Sequence, residues 1–154
     1  IARGLETRVC GISRSEWLII DQTHANAAEH LWRCHFGLDQ IQQRFPKDLV
    51  PLHQTRGAVV TKEPTHVILS NGSIMTQSHQ DAGAAQGKGK TGVTLEEISK
   101  YQAPKSFWSQ SLIIVQGSAN SLGGWVNGIA NPSTNSDWRE LKGKEVPRNL
   151  LMLD

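Results

Sequence analysis

Four residues within twelve positions, His24, His30, Cys34 and His35, are of the types that bind zinc or copper. On one helix they do not all converge. At about 100° per residue, His24 and His35 share a face with Ala28 and Leu31, whereas His30 and Cys34 form an i,i+4 pair roughly a quarter turn away. That pair supplies two metal ligands. A site needs further donors, and His53, His66 and His79 are the remaining histidines. The expectation is a metal pair at His30 and Cys34, completed by a histidine from elsewhere, as in a metal-dependent hydrolase. The plainer alternative makes His30 exposed, Cys34 half-buried and His35 a satisfied core residue.

A second chemistry is written in residues 81–92, Asp-Ala-Gly-Ala-Ala-Gln-Gly-Lys-Gly-Lys-Thr-Gly, which hold four glycines and no large apolar residue. Backbone N–H groups of a glycine-rich turn cradle phosphate, a lysine neutralises its charge, and a hydroxyl binds a divalent cation. Gly87, Lys88, Gly89, Lys90 and Thr91 are the ligand-binding candidates. The stretch from Ala84 to Thr91 resembles the Walker A motif of P-loop nucleotide-binding proteins. The resemblance implies that Lys90 meets the terminal phosphate and Thr91 the Mg²⁺ ion. It covers eight residues, and the sequence departs from the pattern around it. The preceding Met75–Asp81 is polar rather than a buried strand. Ala84 replaces the first glycine, and Gly92 stands where the helix should open. The apolar run Leu112–Val115 ends in Gln116, without the carboxylate of a Walker B strand. The expectation drawn is a loop that binds a phosphate-bearing ligand, a nucleotide or nucleic acid. A solvated connector or a non-catalytic protein-interaction domain is the rival from another class.

Other nucleophilic arrangements are missing. No Gly-x-Ser-x-Gly elbow occurs, and Cys34 and His35, adjacent on a helix, point about 100° apart. Asp21 closes an apolar run, the position at which α/β sheets often carry site residues, although a turn or capping role suits it equally. Trp125, between Gly124 and Val126, reads as a tight-turn core residue or a stacking platform.

These residues need elements to hold them. Glu16–Asp21 (EWLIID) reads as a strand, with Thr23 capping a helix that Gly37 ends. A second helix is expected over Asp39–Phe45, stopped by Pro46. Asn71-Gly72 between the β-rich runs Thr65–Ser70 and Ser73–Ser78 predicts a hairpin with both turn residues at positive φ. It sets Leu69 opposite Ile74 and Val67 opposite Thr76. Gly57–Thr61 is expected as a third strand. Thr94 and Glu97 read as a capping box opening a helix to Tyr101. Phe107–Gln116 reads as a buried strand, Trp125-Val126 as a further strand, Asp137–Lys142 as a helix, and Leu150–Leu153 as a docking tail.

The resulting expectation is an α+β fold in a single globular domain, residues 1–154: a small, mainly antiparallel sheet around Asn71-Gly72, packed on two or three short helices. The chain is 38% hydrophobic and 19% charged, which suits a folded protein. The net charge of +2 falls short of the basic footprint of a DNA-binding surface. No apolar run reaches the roughly 18 residues of a membrane span, so no membrane partner is expected. Cys10 and Cys34 form no disulfide framework, and an intracellular setting is the mild expectation. The chain opens on Ile1 rather than Met, as a processed product or fragment would.

Overall fold

Strand β1, Glu16–Asp21, is apolar at four consecutive positions, and the structure shows why. Alternate side chains of a strand leave opposite faces of the sheet, so a strand covered on both sides reads as a continuous apolar run. Trp17 and Ile19 enter one core cluster with Leu31, Cys34, Leu38, Val67, Leu69 and Met75. Leu18 and Ile20 enter another, with Val93, Leu95, Ile98, Tyr101, Trp108 and Val126. The computed structural model describes residues 10–45, 50–80, 90–104, 106, 108, 125–130 and 150–152.

After β1 comes helix α1, His24–Arg44, whose N-cap Thr23 accepts a hydrogen bond from Asn26 N. Strands β2 (His53–Ala58), β3 (Glu63–Leu69), β4 (Ile74–His79) and β5 (Gly92–Leu95) follow. A 3₁₀ turn spans Ile98–Lys100, and β6 (Trp125–Ala130) and β7 (Leu150–Met152) complete the order. They form one seven-stranded sheet in the order β2-β3-β4-β1-β5-β6-β7. The pairs β4–β1, β1–β5, β5–β6 and β6–β7 are parallel. Only β2–β3 and β3–β4 are antiparallel.

The mixed α+β character agrees with the sequence, but the small, mainly antiparallel sheet on two or three helices does not. The sheet is mostly parallel, and α1 is the one long α-helix among the described residues, with residues 10, 11, 104, 106 and 108 also helical. Gly37 and Asp39 lie inside that helix. An interior glycine costs about 1 kcal/mol relative to alanine, and the stripe Ala27, Leu31, Cys34 and Leu38 buried on the sheet outweighs it. Thr94 and Glu97 form no capping box. Thr94 lies within β5, and Glu97 precedes only the short 3₁₀ turn.

The hairpin of β3 and β4 is present, one residue out of the expected register. Val67 pairs with Met75 and Ile68 with Ile74. Only Gly72 takes a positive φ, 83°. Gly72 N donates to Leu69 O at 2.9 Å and Leu69 N to Ser73 O at 2.8 Å, which leaves Ser70, Asn71 and Gly72 as a three-residue loop. A turn closed by a left-handed glycine is the common three-residue hairpin solution. Asn71 uses its side chain instead: Oδ1 accepts from Ser73 N at 3.0 Å. Ser73 of the Asn71-Gly72-Ser73 sequon is fully buried. The third strand, β2, lies at His53–Ala58 rather than Gly57–Thr61. Trp125-Val126 and Leu150–Met152 fall in β6 and β7. The strand expected at 107–116 and the helix expected at 137–142 lie outside the described residues. No described helix is long and apolar enough to cross a membrane.

Candidate functional site at the carboxyl edge of the sheet

Five neighbouring strands, β4, β1, β5, β6 and β7, run the same way. Their carboxyl ends therefore share one edge of the sheet, where parallel α/β sheets bind ligands. β1 delivers Asp21 to this edge, and β5 runs directly into Glu96. The two ends are tied together: Glu96 N donates to Ile20 O at 2.8 Å. Asp21 and Glu96 are both buried. By strand alternation Asp21 shares the face of Trp17 and Ile19, toward α1, and α1 places His30 against it.

Asp21 is heavily supplied with donors. His30 Nε2 lies 3.1 Å from Oδ2, which assigns the ring proton to that nitrogen. Asn26 Nδ2 donates to Oδ1 at 3.3 Å, and Gln22 N donates to the same oxygen. Burial alone would raise the Asp21 pKa. The hydrogen bonds from His30, Gln22 and Asn26 together outweigh it and hold the carboxyl below its ordinary range. His30 moves the opposite way: the bond to Asp21 raises its pKa against burial, and the negative field of Glu96 adds to the rise. Asp21 and Glu96 thus both favour the protonated form of the ring.

Glu96 differs from Asp21 in the balance of influences on its carboxyl; its residue is 5% exposed. Burial raises its pKa, with the His30 charge pulling the other way and Asp21 adding to the rise. The next residue, Glu97, has φ 52°, a left-handed conformation that a non-glycine residue adopts at a cost of roughly 1–2 kcal/mol. Such strain gathers at functional sites. It turns the chain sharply off β5, and Glu97 Oε2 meets Lys100 Nζ at 2.9 Å. Behind the pair, Tyr101 OH donates to Ile20 O at 2.8 Å, its ionisation suppressed by burial and by the nearby Asp21 and Glu96 charges. Gln22 Nε2 donates to Lys100 O at 2.7 Å and closes the β1–α1 turn over the 3₁₀ turn.

The residues singled out from the sequence fall elsewhere or separate. Cys34 is buried among Trp17, Leu31 and Leu38, while His30 turns to Asp21. Among the described residues neither belongs to a group of three potential metal ligands; the one such group is His35, Asp39 and His53. Gly87, Lys88 and Gly89 lie outside the described residues. Lys90 and Thr91 sit where β5 begins, at the amino edge: Lys90 Nζ pairs with Glu16 Oε2 at 2.9 Å, and Glu16 N donates to Thr91 Oγ1 at 3.0 Å. Asp21 was visible in the sequence as the end of an apolar run. Glu96 was hidden, because Thr94-Leu95-Glu96-Glu97 satisfies a capping pattern. The competing signal was the short alternation of Gly92-Val93-Thr94-Leu95 into two carboxylates.

No protein-family model matches the sequence, and no curated protein does. Solved structures share the fold. The large terminase of bacteriophage HK97 aligns over 99% of this chain and 31% of its own, with a TM-score of 0.65 and 11% identity. A large terminase from a thermophilic bacteriophage, solved in complex with ADP, aligns over 92% of this chain and 33% of its own, at TM-score 0.62 and 13% identity. The ATPase domain of a Thermus phage large terminase aligns over 86% and 53%, at TM-score 0.53 and 16% identity. The chain thus spans about a third of the full-length terminases it resembles, and at this identity the likeness is one of fold.

Proposed function

We propose that this chain is the nucleotide-binding part of an ATPase of the terminase type, and that Asp21, His30, Glu96 and Glu97 face the phosphates and their cation. The observation that carries the reading is Glu96: a carboxyl on a residue 5% exposed, its pKa raised by burial, at the carboxyl end of a parallel strand beside β1. A buried charge is costly unless paired or bound to a cation. In P-loop nucleotide hydrolases a carboxylate at the end of a buried strand holds the Mg²⁺ ion, and the donor set here fits such a hard, oxygen-seeking cation. Glu96 would hold Mg²⁺, and the ion would supply positive charge at the phosphates. The protein's own groups have separable tasks. Asp21 fixes the His30 ring and its proton, and the imidazolium moderates the negative field of the two carboxylates. Glu97, next in the chain and steered by its pair with Lys100, would orient a water. The solved neighbours favour the same reading, since one holds ADP and another is an ATPase domain.

The test is binding of a fluorescent ATP analogue with Mg²⁺ and then with EDTA. Wild type binds in Mg²⁺ and loses most of that signal in EDTA, and Glu96→Gln loses the Mg²⁺-dependent part. Equal binding by wild type and Glu96→Gln, or no binding by either, removes the reading.

A further inference from the structure

A second cluster lies on α1 and β2, away from the carboxyl edge. His35 and Asp39 stand one helical turn apart on α1, and His53 opens β2. His53 Nε2 is 3.3 Å from Asp39 Oδ1 and 3.1 Å from His35 Nδ1. His35 Nε2 is 3.4 Å from Asp39 Oδ2. One ligand atom from each residue lies within 4.8 Å of the others. In a tetrahedral site with bonds of about 2.0–2.1 Å, neighbouring ligand atoms stand about 3.3 Å apart. The shortest contacts use both ring nitrogens of His35 and both oxygens of Asp39, so one atom from each residue reaches that spacing after small side-chain rotations.

Protons alone serve this arrangement badly. Two ring nitrogens at 3.1 Å share at most one proton, and the His35 Nδ1 that would accept it also contacts Thr55 Oγ1 at 2.8 Å. The His53 side chain is 5% exposed and its Nδ1 has no hydrogen-bond partner among the described residues. The rings meet edge to face with centroids 5.1 Å apart, so stacking does not account for the contact. Asp39 is 42% exposed and stays open to solvent. It also lines a cleft of about 160 Å³ with Gln42, Gln43, Val50 and Leu52, an entry path for an ion and its water.

We propose that His35, Asp39 and His53 form a binding site for a first-row transition cation of the zinc type, with the fourth position open toward the cleft. Two imidazoles and a carboxylate suit Zn²⁺, and three protein ligands plus water is the pattern of an accessible zinc site. The ion clips edge strand β2 to the middle of α1, a contact otherwise made by few groups.

The experiment titrates the full chain with Zn²⁺, and with Co²⁺ for its visible absorption. One equivalent binds, Co²⁺ gives the intense bands of four-coordination, and Zn²⁺ raises the melting temperature. Losing even an outer partner of a metal ligand costs about 10–100-fold in affinity, so Asp39→Asn and His53→Gln are expected to weaken Zn²⁺ by at least about 100-fold. Asp39 is exposed enough that Asp39→Asn retains the fold, and the melting curve of the metal-free variant checks this. His66→Ala and His24→Ala leave binding unchanged. Absence of binding overturns the proposal, as does binding that survives Asp39→Asn and His53→Gln or disappears with His66→Ala or His24→Ala. None of these outcomes touches the nucleotide reading, which is scored on Glu96→Gln.

Discussion

The two edges of the parallel sheet carry similar residue types and treat them in opposite ways. At the amino edge, charged and polar groups find partners. Lys90 pairs with Glu16, Thr91 ties β5 to β1, and Trp17 Nε1 donates to Ser15 Oγ at 2.8 Å beside the buried Ser15–Ser73 contact. At the carboxyl edge, two buried carboxyl groups lie beside the part-buried His30 ring, burial raises the Glu96 pKa, and Glu97 is held in a left-handed conformation. A fold finishes the edge that only has to hold and leaves open the edge that has to bind. Satisfied groups stabilise; a costly, buried charge is tolerated where a ligand completes it.

The largest expected effect is therefore purely architectural. A Cβ added at Gly92 would lie 2.3 Å from Trp17 Cζ3 and 2.5 Å from Cε3, and the Trp17 ring is buried. Gly92→Ala is expected to destabilise the protein by about 3 kcal/mol, the upper range for overpacking a core, read by urea denaturation. A loss below about 1 kcal/mol would mean that the amino edge yields more readily than its packing implies.

At the carboxyl edge, Asp21→Asn removes the charge that holds His30 and leaves Gln22 N and Asn26 with a weaker acceptor. The expected cost is about 2–3 kcal/mol at pH 6, below that of a fully buried ion pair because the His30 ring is partly solvated. The pH dependence gives the sign. A histidine whose folded pKa is raised contributes stability below its unfolded value of about 6.5, lost as pH rises through the folded value. Asp21, with its pKa lowered, contributes above about 3.9 and loses that as pH falls through its folded value. Asp21 and Glu96 raise the His30 pKa and Arg33 opposes them. Wild type should thus lose stability as pH rises from about 6.5, and Asp21→Asn should show a flatter profile there. Parallel profiles would show that Asp21 does not hold the His30 proton.

Glu96→Gln reverses the usual direction. Because burial raises the Glu96 pKa, ionising it at neutral pH costs folding energy, and stability falls as pH rises through its unfolded pKa toward the folded one. The uncharged amide is expected to stabilise the chain by roughly 1 kcal/mol at pH 7 while abolishing the Mg²⁺-dependent binding. A destabilised Glu96→Gln would place an unseen partner on the carboxylate and remove the contrast between the edges.

Legibility followed the same division. β1 was readable because both its faces are buried, and the hairpin because Gly72 must take a positive φ. The register slipped by one because a three-residue loop and a two-residue loop leave the same Asn-Gly signature in sequence. The parallel centre was hidden, since parallel neighbours such as β1 and β4 lie far apart in the chain, and a four-residue strand such as β5 carries too little periodicity to outvote a capping pattern. The carboxyl-edge site inherits that difficulty: Asp21, His30 and Glu96 meet only once the order β4-β1-β5 is known. Lys88 and Lys90 drew notice because glycine-lysine runs are local signals.

Lys90→Ala should have the smallest effect and is the most discriminating. The Lys90 side chain is 13% exposed, but its partner Glu16 is 47% exposed, so the pair is screened by solvent. Its loss is expected to cost within about 0.5–1 kcal/mol, the range of partly exposed ion pairs, and less at high salt. Lys90 precedes β5 and Glu96 follows it, so the length of the strand separates them. If the carboxyl edge binds the nucleotide, Lys90→Ala leaves Mg²⁺-dependent affinity within about twofold of wild type, a change of only about 0.4 kcal/mol. If the glycine-lysine loop supplies the phosphate contact, the same variant loses tenfold or more, about 1.4 kcal/mol. Measured beside Glu96→Gln with one fluorescent nucleotide, the two substitutions assign the ligand to one edge: loss in Glu96→Gln alone supports the carboxyl edge, and loss in Lys90→Ala alone transfers the phosphate site to the loop and leaves the buried Glu96 in need of another explanation.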